Sequence, residues 1–154
     1  MRTPASIARH PIHPMLIVFP VALWIFSLVC DFIYLGGAPA SVWSKVAFYT
    51  MVGGFVGALG AAVPGLIDLL SLTDRQVKKI ALLHMAINLT VVTLYAVNIW
   101  LRTSDPKNLG VCIVLSVIGV AMLAVSGWLG GEMVHVHGVG IETQPAAGPA
   151  AGRQ

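Results

Sequence analysis

Long apolar runs separated by short polar or breaking segments make up most of the chain. A membrane-crossing helix needs about 20 predominantly apolar residues, and four stretches reach that length, over residues 15–35, 46–70, 80–101 and 109–134. His13-Pro14 precedes the first run and Gly36-Gly37-Ala38-Pro39 follows it. Residues 71–79 separate the middle pair and residues 102–108 the last two. The pattern predicts an all-α fold, an integral membrane four-helix bundle. It consists of an N-terminal segment over 1–14, a single four-span domain over 15–141, and an Ala-, Gly- and Pro-rich flexible tail over 142–154.

Composition supports lipid as the solvent. Hydrophobic residues make up 57% of the chain and charged residues 10%, with a mean hydropathy of +0.87. Soluble domains carry roughly 25% charged residues, so an ordinary soluble enzyme and a disordered chain are both excluded. The first apolar run is too long for the 7–15-residue core of a signal peptide and carries Asp31 near its end, so it is a true span. Cys30 and Cys112 lie inside apolar runs without metal spacing and read as buried thiols.

The formal charge is +3, but the basic residues sit between spans rather than on one face, which argues against nucleic acid. Arg2, Arg9, Arg75, Lys78, Lys79 and Arg153 fall on one side of the predicted topology, and Lys45, Arg102 and Lys107 on the other. By the positive-inside rule this imbalance places both termini in the cytoplasm.

All five histidines then fall at or near the cytoplasmic end. His10 and His13 precede the first span, His84 lies early in the third, and His135 and His137 end the fourth. Asp68 and Glu132 close the second and fourth spans at the same level. Ionisable residues at the edge of spans are costly and point to function. Asn88, one turn beyond His84, is placed to hydrogen-bond near it. The hairpins echo each other loosely: the first enters with His13 and leaves with Gly65-Leu66-Ile67-Asp68, the second enters with His84 and leaves with Gly127-Trp128-Leu129 and Glu132. Each would supply one imidazole and one carboxylate to a pseudo-twofold bundle, as facing helices do in di-iron proteins.

Other features read as structural. Gly53, Gly57, Ala61 and Gly65 form a small-residue stripe for close helix packing, with Gly127 and Gly131 repeating the spacing in the fourth span. Pro64 should bend the second helix. Asp31 reads as a snorkelling or capping residue in the opposite leaflet. The tryptophans and tyrosines read mostly as interfacial anchors.

Taken together, His10-Pro-Ile-His13-Pro, Pro64-Gly-Leu-Ile-Asp68, His84 with Asn88, and Ser126-Gly-Trp-Leu-Gly-Gly-Glu132 with His137-Gly-Val-Gly resemble the family called domain of unknown function 2231. The likeness runs from about Arg9 to Ile141. It implies a small multi-pass protein of the bacterial cytoplasmic (inner) membrane. Some members of that family are joined to a Rieske iron–sulfur domain, which implies a redox setting with an iron–sulfur or quinone-linked partner. The resemblance includes His137 and leaves His135 outside the pattern.

The expectation is a divalent metal, non-haem iron, zinc or manganese, held by His10, His13, Asp68, His84, Glu132 and His137 near the cytoplasmic face, with His84 and Asn88 as the cofactor-binding residues, Asn88 by a hydrogen bond beside the ligands. Two alternatives stay open. In one, His84 and a second histidine clamp a b-type haem, the glycine stripe making room for the porphyrin. In the other, the polar cluster is a structural network in a non-catalytic subunit.

Overall fold

The structure is a computed structural model that describes residues 4–8, 10–104 and 108–141. The tail, and with it Arg153, lies outside the described residues, as do Arg2, Arg9 and Lys107. A two-stranded hairpin, β1 (Ser6–Ile7) and β2 (His10–Pro11), leads into a short helix α1 (Ile12–Leu16). Four long helices follow: α2 (Val18–Leu35), α3 (Ala40–Ser71), α4 (Arg75–Ser104) and α5 (Leu109–His135). The four predicted runs all lie within these helical segments. Counting α1 with α2, four helical segments among the described residues are long and apolar enough to cross a membrane.

Local chemistry sets the breaks. Pro20 has no N–H for the carbonyl of Leu16, and the helix is interrupted there between α1 and α2. At the far end of α2 the amide of Gly37 bonds Tyr34 and that of Ala38 bonds Ile33, with Gly37 at φ 97° in the left-handed region. Asp74 starts α4, its Oδ1 accepting the amides of Gln76 at 2.8 Å and Val77 at 3.0 Å. Outward, the helices present large apolar side chains such as Phe19, Phe32, Val63, Leu89 and Val125, a surface suited to acyl chains.

The bundle is a duplicated hairpin. α2 packs on α3 and α4 on α5, with looser α3–α4 and α2–α5 seams, so α2 and α4 stand diagonally across the bundle. Three residues of the first span meet their counterparts 71 positions later across this diagonal. His13 faces His84, Trp24 stacks on Tyr95 and Asp31 pairs with Arg102. The second helix of each hairpin repeats with a constant step, 54 to 119, 61 to 126 and 65 to 130.

The hydrogen bonds within each hairpin repeat as well. Trp24 Nε1 donates to the Met51 carbonyl (3.1 Å) and the Tyr95 hydroxyl to that of Ser116 (3.5 Å). Ser27 Oγ donates to the Ala47 carbonyl and Asn98 Nδ2 to that of Cys112, both at 2.7 Å. A pseudo-twofold axis therefore runs down the bundle between α2 and α4, relating two hairpins that enter from the same side.

This register corrects the loose sequence echo. Gly65 is equivalent to Gly130, not to Gly127, and Asp68 has no acidic counterpart. It also corrects the reading of the aromatics. Trp24 and Tyr95 are no interfacial anchors: they are 2% and 1% exposed, stacked with centroids 4.1 Å apart and planes 4° from parallel. A Cβ at Gly54 would lie 2.6 Å from the Trp24 ring, and one at Gly119 would lie 2.8 Å from that of Tyr95. Both glycines exist to admit a ring. Trp100 and Trp128 do lie on the exposed surface.

The glycine stripe of α3 is filled by the first span. Added Cβ atoms at Gly53, Gly57 and Gly65 would touch Leu23, Pro20 with Phe19, and His13 respectively. It is a packing surface for the first span, so the stripe itself is not where a porphyrin would lie. A Cβ added at Gly127 or Gly131 would meet nothing within 4 Å, so these two glycines do not serve the close packing expected of them.

Candidate functional site

Of the residues expected to converge, the structure brings His13 and His84 together and leaves the others elsewhere. Pro14 follows His13 in α1, and the His13 ring lies against Gly65 of α3. His13 Nδ1 stands 2.8 Å from the carbonyl oxygen of Ala61, three residues before the helix-relaxing Pro64. A Cβ on Gly65 would fall 2.8 Å from that nitrogen, so only glycine leaves space for the ring. The second hairpin repeats the arrangement. His84 Nδ1 lies 2.9 Å from the Ser126 carbonyl oxygen and 3.0 Å from Ser126 Oγ. Gly130 faces the ring, its notional Cβ 3.5 Å from Cε1.

A carbonyl oxygen only accepts, so both Nδ1 atoms carry the proton. In the neutral ring Nε2 is then an unprotonated lone pair. Backbone fixing of one imidazole nitrogen is the usual device for presenting the other to a metal. The two ring centroids lie 6.3 Å apart with planes at 86°, and both rings are half-buried.

The remaining expected ligands are engaged elsewhere or lie apart. Asp68 Oδ1 accepts the amide of Ala5 at 3.0 Å, tying down the N-terminal hairpin. The exposed His10 bonds the Ala8 carbonyl through Nδ1 (2.8 Å). Asn88 Nδ2 donates to the backbone carbonyl of His84 (2.9 Å), not to its ring. His135 is exposed and His137 half-buried, and His137 is near enough to Asp74 to act on its carboxyl. Glu132 is half-buried. Among the described residues no group of three or more His, Cys, Asp or Glu is placed to hold a metal ion. The six-ligand cluster is therefore corrected to an imidazole pair: reaching the same end of the bundle does not put side chains on the same face.

A model of one protein family matches residues 9–143, nearly the whole described span, and its description is a predicted membrane protein, domain of unknown function 2231. The chain belongs to the DUF2231 family. No curated protein and no solved structure matches it. Family membership agrees with the four apolar helices and identifies an integral membrane protein.

A second polar centre, missed by sequence reasoning, lies at the opposite end of this DUF2231 bundle. Asp31 does not snorkel; it is fully buried. Arg102 grips both its carboxylate oxygens, with Nη1 at 2.9 Å from Oδ1 and Nη2 on Oδ2. Arg102 Nε also donates to Asn98 Oδ1 at 3.0 Å, and Asn98 Nδ2 to Ser116 Oγ at 2.9 Å. The signal was present in the 71-residue spacing shared by His13–His84, Trp24–Tyr95 and Asp31–Arg102. It is hidden because only the first pair repeats the same amino acid.

Proposed function

We propose that His13 and His84 are the two protein ligands of one b-type haem iron on the pseudo-twofold axis, in a protein of the bacterial cytoplasmic membrane with the histidine end facing the cytoplasm. The orientation rests on the distribution of Lys and Arg between the loops. The haem reading rests on the pinned imidazole pair. A bare divalent metal needs about four protein ligands, and only two imidazoles are brought together among the described residues, whereas a porphyrin supplies four nitrogens of its own and would be held by His13 and His84.

The bound group would supply one-electron transfer. The chain's own contribution is to hold each Nδ1–H on a carbonyl, so that Nε2 carries the lone pair of the neutral ring, and to seat the rings through Gly65 and Gly130. Ser126 Oγ gives His84 a second acceptor that Ala61 does not give His13, so the two sides are chemically unequal.

The test is the visible spectrum and metal content of detergent-purified protein, alone and after addition of hemin. The expected result is a Soret band at one haem per chain, lost in both His13→Ala and His84→Ala while helical circular dichroism is retained. Stoichiometric metal without a Soret band would replace haem by a bare ion. Neither haem nor metal in the folded wild-type protein would overturn the ligand role and leave the pair structural.

A further inference from the structure

At the end of the bundle opposite the histidines, a cavity of about 310 Å³ opens among the ends of the four long helices. Tyr34 of α2, Ser44, Lys45, Phe48 and Tyr49 of α3, and Arg102 of α4 line it, with Leu109 of α5. Polar hydroxyls, two cations and aromatic rings therefore share one hollow where the spans end, the depth at which a bilayer places its headgroups and a protein its aromatic belt.

The internal repeat supplies a control for these residues. By the step that relates α3 to α5, Ser44, Lys45, Phe48 and Tyr49 correspond to Leu109, Gly110, Ile113 and Val114. The second hairpin closes its corner with aliphatic side chains and a glycine. The fold does not require a hydroxyl, an ammonium and two aromatic rings at these positions, and the first hairpin has them only around the cavity.

The charges are also unbalanced. Asp31 is taken up by Arg102, and among the described residues Lys45 has no carboxylate partner. A guanidinium carries five N–H donors. Arg102 directs its Nε–H to Asn98 and one N–H from each terminal nitrogen to Asp31. Two N–H groups remain, on a side chain that lines the cavity and is only 7% exposed.

We propose that this cavity binds a phosphate group at the membrane surface, with Lys45 and the remaining Arg102 N–H groups holding the anion and the Ser44 hydroxyl hydrogen-bonding it. The Phe48 and Tyr49 rings, in edge contact at 5.6 Å, form the apolar wall beside it. Lysine acts here as a point charge and arginine as a fixed donor fork. The phosphate belongs either to an anionic phospholipid headgroup or to a soluble phosphate.

Native mass spectrometry of the detergent-purified chain distinguishes these sources. The probes are phosphatidylglycerol, phosphatidylcholine and inorganic phosphate. The wild type should retain phosphatidylglycerol in preference to phosphatidylcholine. Lys45→Gln should reduce that retention about five-fold, the effect of one cation near an anionic headgroup. Lys45→Arg should restore it, and Lys78→Gln, at the other end of the molecule, should leave it unchanged. Displacement of the lipid by millimolar inorganic phosphate assigns the site to a soluble phosphate, and persistence of the lipid assigns it to the headgroup. Equal retention of the two lipids, or equal retention by wild type and Lys45→Gln, overturns the proposal. Lys45 is exposed, so its substitution does not put folding at risk.

Discussion

The two ends of the bundle each carry a pair of equivalent residues across the same pseudo-twofold axis, yet the pairs differ in what they leave over. Asp31 and Arg102 neutralise each other: both carboxylate oxygens are bonded and the arginine is steadied by Asn98, with two of its N–H groups turned to neither. His13 and His84 each bond a carbonyl of their own hairpin and not each other, which leaves two basic nitrogens uncommitted. One symmetric position has evolved into a clasp that joins the hairpins, the other into a pair of donors. Residue type at equivalent sites, more than burial, separates a structural pair from a ligand pair.

The largest expected effect breaks the clasp. Arg102→Met strands a buried carboxylate and should destabilise the bundle by about 3–5 kcal/mol, while Asp31→Leu combined with Arg102→Met should recover most of the loss. Thermal or denaturant unfolding in detergent reads both, and a double variant as unstable as the single would show that the pair is not the clasp described.

A smaller effect compares the two histidine seats. Gly65→Ala drives a Cβ into the His13 ring and should cost about 1–3 kcal/mol by overpacking, along with haem loading. Gly130→Ala meets His84 at ordinary contact distance and should be close to neutral in both. Equal behaviour of the two variants would remove the argument that Gly65 seats His13.

The smallest effect lies outside the membrane. Hydrogen bonds from the Val77 and Gln76 amides hold the Asp74 carboxyl below the ordinary carboxylate range. The cap's contribution is complete above that range and fades as the pH falls through the lowered value. Asp74→Ala should slightly lower the unfolding temperature at neutral pH and leave it unchanged in strong acid, where the wild type has lost the same contribution. A deficit that persists in acid would exclude the ionised cap as its source.

The spans were legible because twenty apolar residues in a row have few alternatives to a membrane helix. The gathering of histidines at one end was legible from topology alone. The cluster was not, because helix ends specify level without azimuth. Asp68 points to the Ala5 amide, a contact created by an N-terminal hairpin too short to register as a pattern. The Asp31–Arg102 clasp escaped for another reason: in a sequence each residue meets only its neighbours, and an acid 71 positions from its base looks unpaired. Trp24 and Tyr95 were misread because the aromatics were taken as a group, although these two lie well inside their spans, and nothing local marks Gly54 and Gly119 as the slots that receive them.

The stacked Trp24–Tyr95 rings occupy the axis between the two polar ends, with a glycine of each hairpin close against its own hairpin's ring. They make the middle of the bundle a stopper. Between the imidazoles and the clasp the axis is therefore filled by two buried aromatic rings.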